Sequence, residues 1–496
     1  MSESRMSKLK RQWWGAVLCV TVILAAVPGM AQSKVEWPST TPAKVFQEWL
    51  GFCAAPNAEA WTKWNAAHYE EKFLGRHNAQ EITEHDTSEC KQHGGYRAVR
   101  VIDSKPEEIT VALEGIKTGV LVQVFMAVNK DEKIAGVGMM PAEVPESSLP
   151  KDLSDAQVKK VAQESVDRLA KLDMFSGIVY VARGSEPIAV VTGGYADRAK
   201  KTAITPQTQF TLGSMGKMFT AAGIGQMVDQ GKMSYDDPVG KFFPEYPNKT
   251  VREKVTVGML LSHTSGMGDF LGKRTPEMMK NGVKRADEFM PLYDKDEPKF
   301  APGTNWSYSN AGLALVGAIL EKVSGEDYPD YIRKHIFAPA GMKNSDPNNV
   351  PHMDTRMVTP YTHQSEKGPT EEWQEAEHDI GSPAGGAIST AEDLAHFADA
   401  LRSGKLVSKA TFAKMTESHG KTPWGGNYGY AMEIENVYGR TVVGHGGGFP
   451  GVNTDLAIVL ESPYTVITLA NMDPPAANFA EQRVKALVVE KAKQGK

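Results

Sequence analysis

Ser214 and Lys217, in the stretch QFTLGSMGKMFTAAGIGQMVDQG, put a nucleophile and a base one helical turn apart. Phe219, Ala222, Gln226 and Met227 recur behind them at helical spacing, which predicts that Ser214 sits where a strand-like QFTLG gives way to a helix. Residues at i and i+3 share a helix face, about 5–6 Å apart at Cβ. A partly desolvated lysine at that distance can lose its proton and take one from the serine hydroxyl, leaving an alkoxide-like oxygen to attack an acyl carbon. The tetrapeptide alone does not establish this, because Ser-x-x-Lys also starts at Ser7, Ser88, Ser148 and Ser418. Ser7 falls in a basic leader, Ser148 lies just before Pro150, and Ser88 and Ser418 have polar flanks typical of exposed turns. Only Ser214 opens a helix with an apolar face, and its plainer reading is an N-cap bonded to its own backbone.

Two distant segments shift that balance. In FAPGTNWSYSNAGLALVGAILEKVSG, Leu313, Val316, Gly317, Leu320 and Val323 mark a buried helix, and Pro302 and Gly303 mark the loop before it. Tyr308 and Asn310 stand at the end of that loop, where the plainer reading has Asn310 capping the helix and Tyr308 packing beside it. A second Tyr-x-Asn, Tyr246 to Asn248, has Pro247 between and reads as a plain turn. In GRTVVGHGGGFPG, Thr441 to Val443 form a strand running into His445, Gly446, Gly447 and Gly448, whose glycines let another backbone or a ligand edge approach closely.

These three elements, in this order over roughly residues 150 to 490, resemble the penicillin-recognising serine hydrolases, and within them the class C beta-lactamases with their related D-aminopeptidases and esterases. LLSHTSGM from Leu260, FAPAGM from Phe337, SPAGGAISTAEDLAHF from Ser382 and GHGGGFPGVNTDLAIV from Gly444 support the resemblance. It implies Ser214 as the acylated nucleophile, Lys217 as its proton partner and Tyr308 as a second base, held towards phenolate by the Lys217 cation. It further implies Asn310 as a donor to the substrate acyl group that helps orient Lys217. The amides of Ser214 and Gly448 would form an oxyanion hole, with His445, Gly446 and Gly447 along the substrate.

One departure bears on substrate. Class C beta-lactamases are similar to this pattern but carry Lys-Thr-Gly where this chain has His445-Gly446-Gly447, and an unperturbed histidine is mostly neutral at pH 7. Facing the ligand, His445 would recognise a carboxylate less well than lysine does, which favours an ester, amide or peptide over a penicillin. Lys421-Thr422-Pro423-Trp424-Gly425-Gly426 is a rival third segment; the strand leading into His445 favours the latter. A phosphate loop at Gly216-Lys217 fails because Thr211 and Met218 stand where glycine and a hydroxyl are needed. The dinucleotide-like spacing Gly446, Gly448, Gly451 contains Pro450 and is followed by a strand-like DLAIVL instead of a helix. His263 in SHTSG reads as a turn residue bonded to backbone. No zinc motif occurs, and no metal or cofactor is expected.

Arg5, Lys8, Lys10 and Arg11, the apolar run Trp13 to Val27, and Gly29-Met30-Ala31 read as a secretory leader cleaved after Ala31. Cys19 lacks the small preceding residue of a lipoprotein signal. Removing four basic residues and Glu3 takes the net charge from −5 to −8, so no basic patch points to nucleic acid or a membrane surface. The expectation is a periplasmic or secreted protein without a stable membrane span, acting on a small molecule or short peptide, its oligomeric state open. Cleavage leaves Cys53 and Cys90, which an oxidising compartment allows, without requiring, to pair.

The 496-residue length allows more than one domain. Residues 35–140 read as a small α+β accessory unit: helix-like VFQEWLGFC and AWTKWNAAHYEEKF, then strands YRAVRVI, EITVALEG, GVLVQVFMAV and KIAGVGMM, similar to cystatin-like or NTF2-like cones. His93-Gly94-Gly95 there repeats the third motif without its strand. Pro141, Pro145 and Pro150 mark a linker, 141–152. Residues 153–496 read as the hydrolase domain, α+β with a beta-lactamase/transpeptidase-like fold. Its first helix starts at a capping box of Ser154 and Gln157, with Val158, Val161, Ala162 and Leu169 inward. Strands GIVYVARG and IAVVTGGYA near its start should join TVVGH, DLAIVL and YTVITLAN near its end in one antiparallel sheet, closed by a final helix from Ala476 to Lys491. A mainly helical lobe between Phe219 and Arg402 would be inserted, with the site between lobe and sheet. The competing function is a binder or sensor of the same fold, acylated slowly or not at all.

Overall fold

The structure, a computed structural model, describes residues 35–275, 277–278, 283–348, 356–365, 368–376, 381–423 and 425–495. The expected leader, with Ser7, and Trp424 of the rival segment lie outside the described residues.

Three longer helices come first, α1 (Thr41–Ala54), α2 (Ala58–His68) and α3 (Ala79–His93), with a single turn, Glu71–Leu74, between the last two. In α1, Val45, Phe46, Trp49 and Cys53 recur at helical spacing and are buried, and Pro42 is tolerated because it sits in the first turn. The third helix has no apolar periodicity to announce it, and only Ile82, Thr83, Cys90 and His93 are buried. Its ends carry the signal instead: an Asn78/Glu81 capping box and a left-handed Gly94. Ser88 therefore lies on the exposed side of a helix and not in a turn. A Cys53–Cys90 disulfide ties α1 to α3, with the Cα atoms 5.3 Å apart. The helices cover an antiparallel meander of β1 (Tyr96–Ser104), β2 (Glu108–Gly115), β3 (Leu121–Val128) and β4 (Ile134–Pro141), paired in that order.

The larger sheet takes strands from both ends of the remaining chain. After α4 (Asp155–Lys171) come β5 (Gly177–Arg183) and β6 (Glu186–Gly193). The middle carries α5 (Lys217–Asp229), α6 (Asn310–Ser324), α7 (Ala391–Ser403) and a hairpin, Tyr361–Ser365 with Gly368–Glu375. The last stretch supplies β7 (Gly420–Lys421), β8 (Asn427–Tyr428), β9 (Glu433–Val437), β10 (Arg440–Phe449), β11 (Val452–Val459), β12 (Tyr464–Ala470) and helix α8 (Ala476–Lys493). The strand order is β7-β8-β9-β10-β11-β12-β5-β6, antiparallel throughout. The join between the ends is β12 on β5, where Val466 faces Val181.

Because side chains alternate across a strand, β5 divides between two cores. Ile178, Tyr180 and Ala182 pack with α5, α6 and α7, whereas Val179 and Val181 pack with α4 and α8. The second core runs on without a break into the N-terminal unit, through Phe46, Trp61, Ile109 and Val111. Gln482 of α8 reinforces that junction, donating to the carbonyls of Leu121 (2.7 Å) and Ala142 (2.6 Å) and accepting from the Leu121 amide (2.9 Å).

Some local expectations change. Ser154 caps α4 by accepting from the Gln157 amide, but its own amide donates to Asp152 Oδ1 (2.9 Å) instead of to the Gln157 side chain, so the box is not reciprocal. Val166 takes the fully buried position expected of Val161, which is half-buried. Tyr246 is a core side chain, and Asn248 caps a short helix, Lys249–Lys254, so Tyr246 to Asn248 is not a plain turn. Among the described residues, no helix is long and apolar enough to cross a membrane.

Candidate active site

The short strand Phe210–Thr211 pairs with Ile388–Ser389, and the chain then turns through one 3-10 coil, Gly213–Gly216, into α5. Gly213 has φ +56°, a left-handed conformation that glycine adopts without the cost a Cβ would add, and a Cβ there would lie 3.3 Å from the Gly448 nitrogen. On the facing strand, a Cβ at Gly447 would overlap the Leu212 carbonyl oxygen and Thr454 Oγ1. These two bare positions let β10 close directly onto the turn that presents Ser214. Thr454 Oγ1 donates to the Leu212 carbonyl (2.8 Å), and the Gly386 amide donates to the Gly213 carbonyl (2.9 Å), which fixes the turn from both sides.

Ser214 is half-buried and Lys217 fully buried. Lys217 Nζ donates to Ser214 Oγ (3.1 Å), to Asn310 Oδ1 (2.8 Å) and to the Ala384 carbonyl. Ser309, not Asn310, caps α6: its Oγ accepts from the Gly312 amide (2.8 Å) and donates to the Gly268 carbonyl (2.9 Å). The Asn310 side chain is thereby free to bridge Lys217 and Asp269, donating to Asp269 Oδ2 at 2.6 Å.

Tyr308 lies over this pair, its ring centroid 4.8 Å from Lys217 Nζ, and its hydroxyl is hydrogen-bonded to Ser214. Burial pushes the phenol well above its ordinary value, Glu433 and Asp269 push the same way, and the bond to Ser214 pulls only partly back. Burial therefore favours the protonated phenol at Tyr308, where the resemblance implies a phenolate held by Lys217.

Behind Tyr308 runs a buried chain of hydrogen bonds whose proton positions follow from the partners. The Ser309 amide donates to His263 Nδ1 (3.1 Å), so His263 carries its proton on Nε2 and donates it to Tyr428 Oη (3.1 Å). Tyr428 in turn donates to His445 Nε2 (2.8 Å), and His445 Nδ1 donates to the Gly446 carbonyl (2.6 Å). Both imidazoles are neutral in this chain. Burial lowers His445 to about 3, with the Lys217 charge adding to it, and lowers His263 in the same way. His263 also packs on the Tyr308 ring at 4.3 Å between centroids and adopts φ +61°, so it is a buried partner of the site and more than a turn residue.

The structure thus brings Ser214, Lys217, Tyr308, Asn310 and Gly448 together. His445 is adjacent, but it is 2% exposed and both ring nitrogens are engaged. It does not face a ligand as expected, and reaches the site through Tyr428 and the Tyr308 ring. Of the other Ser-x-x-Lys serines, Ser88, Ser148 and Ser418 are exposed and Ser418 bonds Asn427. Sequence reasoning missed Ala384, Asp269, Tyr428 and Thr454. The glycine pair Gly385-Gly386 was the one local sign of the tight loop that aims the Ala384 carbonyl at Lys217.

Comparison with known proteins bears on the family and the fold. Residues 161–491 match the family described as Beta-lactamase. Penicillin-binding protein 4* of Bacillus subtilis (strain 168) is 29% identical over 334 residues, covering 64% of this chain and 72% of that protein. A D-aminopeptidase of Cereibacter sphaeroides (strain ATCC 17029 / ATH 2.4.9) is 25% identical over 329 residues, covering 64% of this chain and 61% of that protein. The octameric penicillin-binding protein homologue from Pyrococcus abyssi superposes with a TM-score of 0.59 at 29% identity, over 67% of this chain and 77% of that one. With a family match over most of its length and its antiparallel sheet and helical lobe arranged as in these relatives, the chain belongs to the beta-lactamase family of serine hydrolases.

Proposed function

We propose that this protein hydrolyses an ester, amide or peptide bond through an acyl-enzyme on Ser214. The observation that carries this reading is the contact of Lys217 with Ser214, Asn310 and Ala384 at once. When Lys217 is a neutral amine, its two N–H groups keep Asn310 and Ala384, and its lone pair accepts the Ser214 proton. Ser214 Oγ then bonds the acyl carbon while Lys217 becomes an ammonium, and the Tyr308 hydroxyl gives its proton to the leaving group. In the second half, water adds to the acyl carbon, its proton returns Tyr308 to the phenol, and the Lys217 proton goes back to Ser214 as the acid leaves. The amides of Ser214 and Gly448 would hold the oxyanion, each contributing about 3 kcal/mol.

A neutral, fully engaged His445 provides no cation for a substrate carboxylate, which favours uncharged acyl groups over lactams. The D-aminopeptidase relative makes short D-amino amides reasonable substrates. Export by a cleavable leader (1–31), and the division into an accessory unit (35–140), a linker (141–152) and a hydrolase domain (153–496), belong to the same proposal.

The test is Ser214→Ala together with a fluorophosphonate probe and three chromogenic substrates: a neutral ester, a D-amino amide and a cephalosporin. The substitution should abolish turnover with the thermal midpoint unchanged, the probe should label Ser214 alone, and kcat/KM should favour the ester or amide. Labelling of another serine, or activity in the variant, would overturn the assignment. Stoichiometric labelling without turnover of any substrate would instead identify a slowly acylated binder.

A further inference from the structure

A cavity of about 790 Å³ lies between the N-terminal unit and the hydrolase fold, far from the reacting groups in sequence and separate from the residues around Ser214. Its size is that of a site for a small organic ligand, about 300–1,000 Å³. One wall comes from α3, β3 and β4, the other from the Tyr361–Glu375 hairpin and the start of α8, so neither unit builds it alone.

The lining has two characters. Tyr69, Phe73, Trp373 and Phe479 give it an aromatic body. Glu81, Asp86 and Glu89 put three carboxylates on the α3 side, and no lysine or arginine among the described residues lines the cavity to offset them. Asp86 accepts from Trp49 Nε1 (2.9 Å) and is paired with His85 Nδ1 (3.3 Å), whereas Glu89 makes no ion pair with lysine or arginine among the described residues. Tyr69 is an independent sign of a missing partner: it lines the cavity at 3% exposure, yet its hydroxyl has no hydrogen-bond partner. A buried hydroxyl without a partner keeps its desolvation penalty, which a polar ligand head reaching it would relieve. Burial also pushes the Glu89 carboxyl above its ordinary range, with Asp86 adding and His85 opposing, and a nearby cation would relieve it.

We propose that this inter-unit cavity is a second binding site, for an organic cation with an aromatic or alkyl body and an amine head directed at Glu89 and the Tyr69 hydroxyl. Aromatic walls suit such a ligand twice over, since they bury its apolar part and their ring faces attract its charge.

The full chain can be titrated calorimetrically near neutral pH with 4-phenylbutylamine, its neutral analogue 4-phenylbutanol and its anionic analogue 4-phenylbutyrate. The amine should bind saturably, one per chain, and about tenfold more tightly than the carboxylate. Glu89→Gln, an isosteric change, should weaken the amine by about fivefold and leave the alcohol unchanged. Val124→Trp should fill the cavity and remove both, while Val124→Ile, the conservative control, retains them. The proposal is overturned if no probe saturates, if carboxylate and amine bind alike, or if the amine binds equally well to Glu89→Gln and Val124→Trp proteins of unchanged thermal midpoint, which would put its site elsewhere.

Discussion

A lysine ammonium has three N–H donors and no lone pair, and Lys217 commits its donors to Ser214, Asn310 and Ala384. Loss of one proton reverses the bond to Ser214 and leaves the other two in place, so a fully buried group changes charge without losing a partner. In the proposed mechanism Tyr308 is the complementary acid, and Tyr308→Phe should lower kcat by about a hundredfold or more. Tyr246→Phe is the control: that hydroxyl is buried without a partner, so its removal should leave both kcat and stability nearly unchanged. Near-equal losses in the two variants would show that Tyr308 is not the acid. The neutral histidines make a pH prediction with a definite sign. Unfolded His445 takes a proton near 6.5, whereas the folded residue resists protonation until about 3. Below 6.5 the unfolded chain therefore binds more protons, and stability should fall as pH drops from about 6.5 towards 3. Thermal midpoints of the parent and of His445→Asn at several pH values in that window should converge as pH falls; parallel curves would mean that His445 is not held neutral.

At the scale of elements, catalysis depends on how closely β10 lies against the Gly213–Gly216 turn. Gly447 and Gly446 are neighbours with opposite tolerances. A Cβ at Gly447 overlaps the Leu212 carbonyl and Thr454, while one at Gly446 meets nothing nearer than 3.5 Å. Gly447→Ala should push the strand off the turn, move Gly448 from Ser214 and reduce kcat by about a hundredfold, whereas Gly446→Ala should keep activity. Equal activity in the two variants would refute this account of the oxyanion pair. Part of this level is legible in the chain itself: spacing puts Ser214 and Lys217 on one helix face, the resemblance singles out Tyr308 and Asn310, and the apolar runs of β5, β11 and β12 declare one sheet. What stayed hidden has physical reasons. The Ala384 ligand of Lys217 is a backbone carbonyl, which has no residue type to read. Tyr428 follows the rival Lys421–Gly426 segment, and its pairing with His263 and His445 exists only once β8 is laid in the sheet. Helix α3 is polar along most of its length, so only its caps betray it.

At the scale of the molecule, α8 serves both units, and Gln482 is its most exacting contact. Gln482→Leu would take the side-chain partner from the Leu121 amide and the Ala142 carbonyl and leave the Leu121 carbonyl with the Ala142 amide alone, at a cost of about 2 kcal/mol or more. The thermal midpoint should fall by several degrees, with kcat at 25 °C retained; an unchanged midpoint would mean that the junction is held by apolar packing alone. The seam between β5 and β12 has a consequence for how the chain reaches this state. The four-strand meander pairs only neighbours and needs no strand from outside its own stretch, but Val181 must wait for Val466, far later in the chain. Until then β5 carries an open edge, with Val179 and Val181 lacking the α8 cover they later share, the kind of surface that invites aggregation or a chaperone. A chain truncated before Tyr464 should therefore be cut by protease throughout the hydrolase region while its N-terminal meander survives.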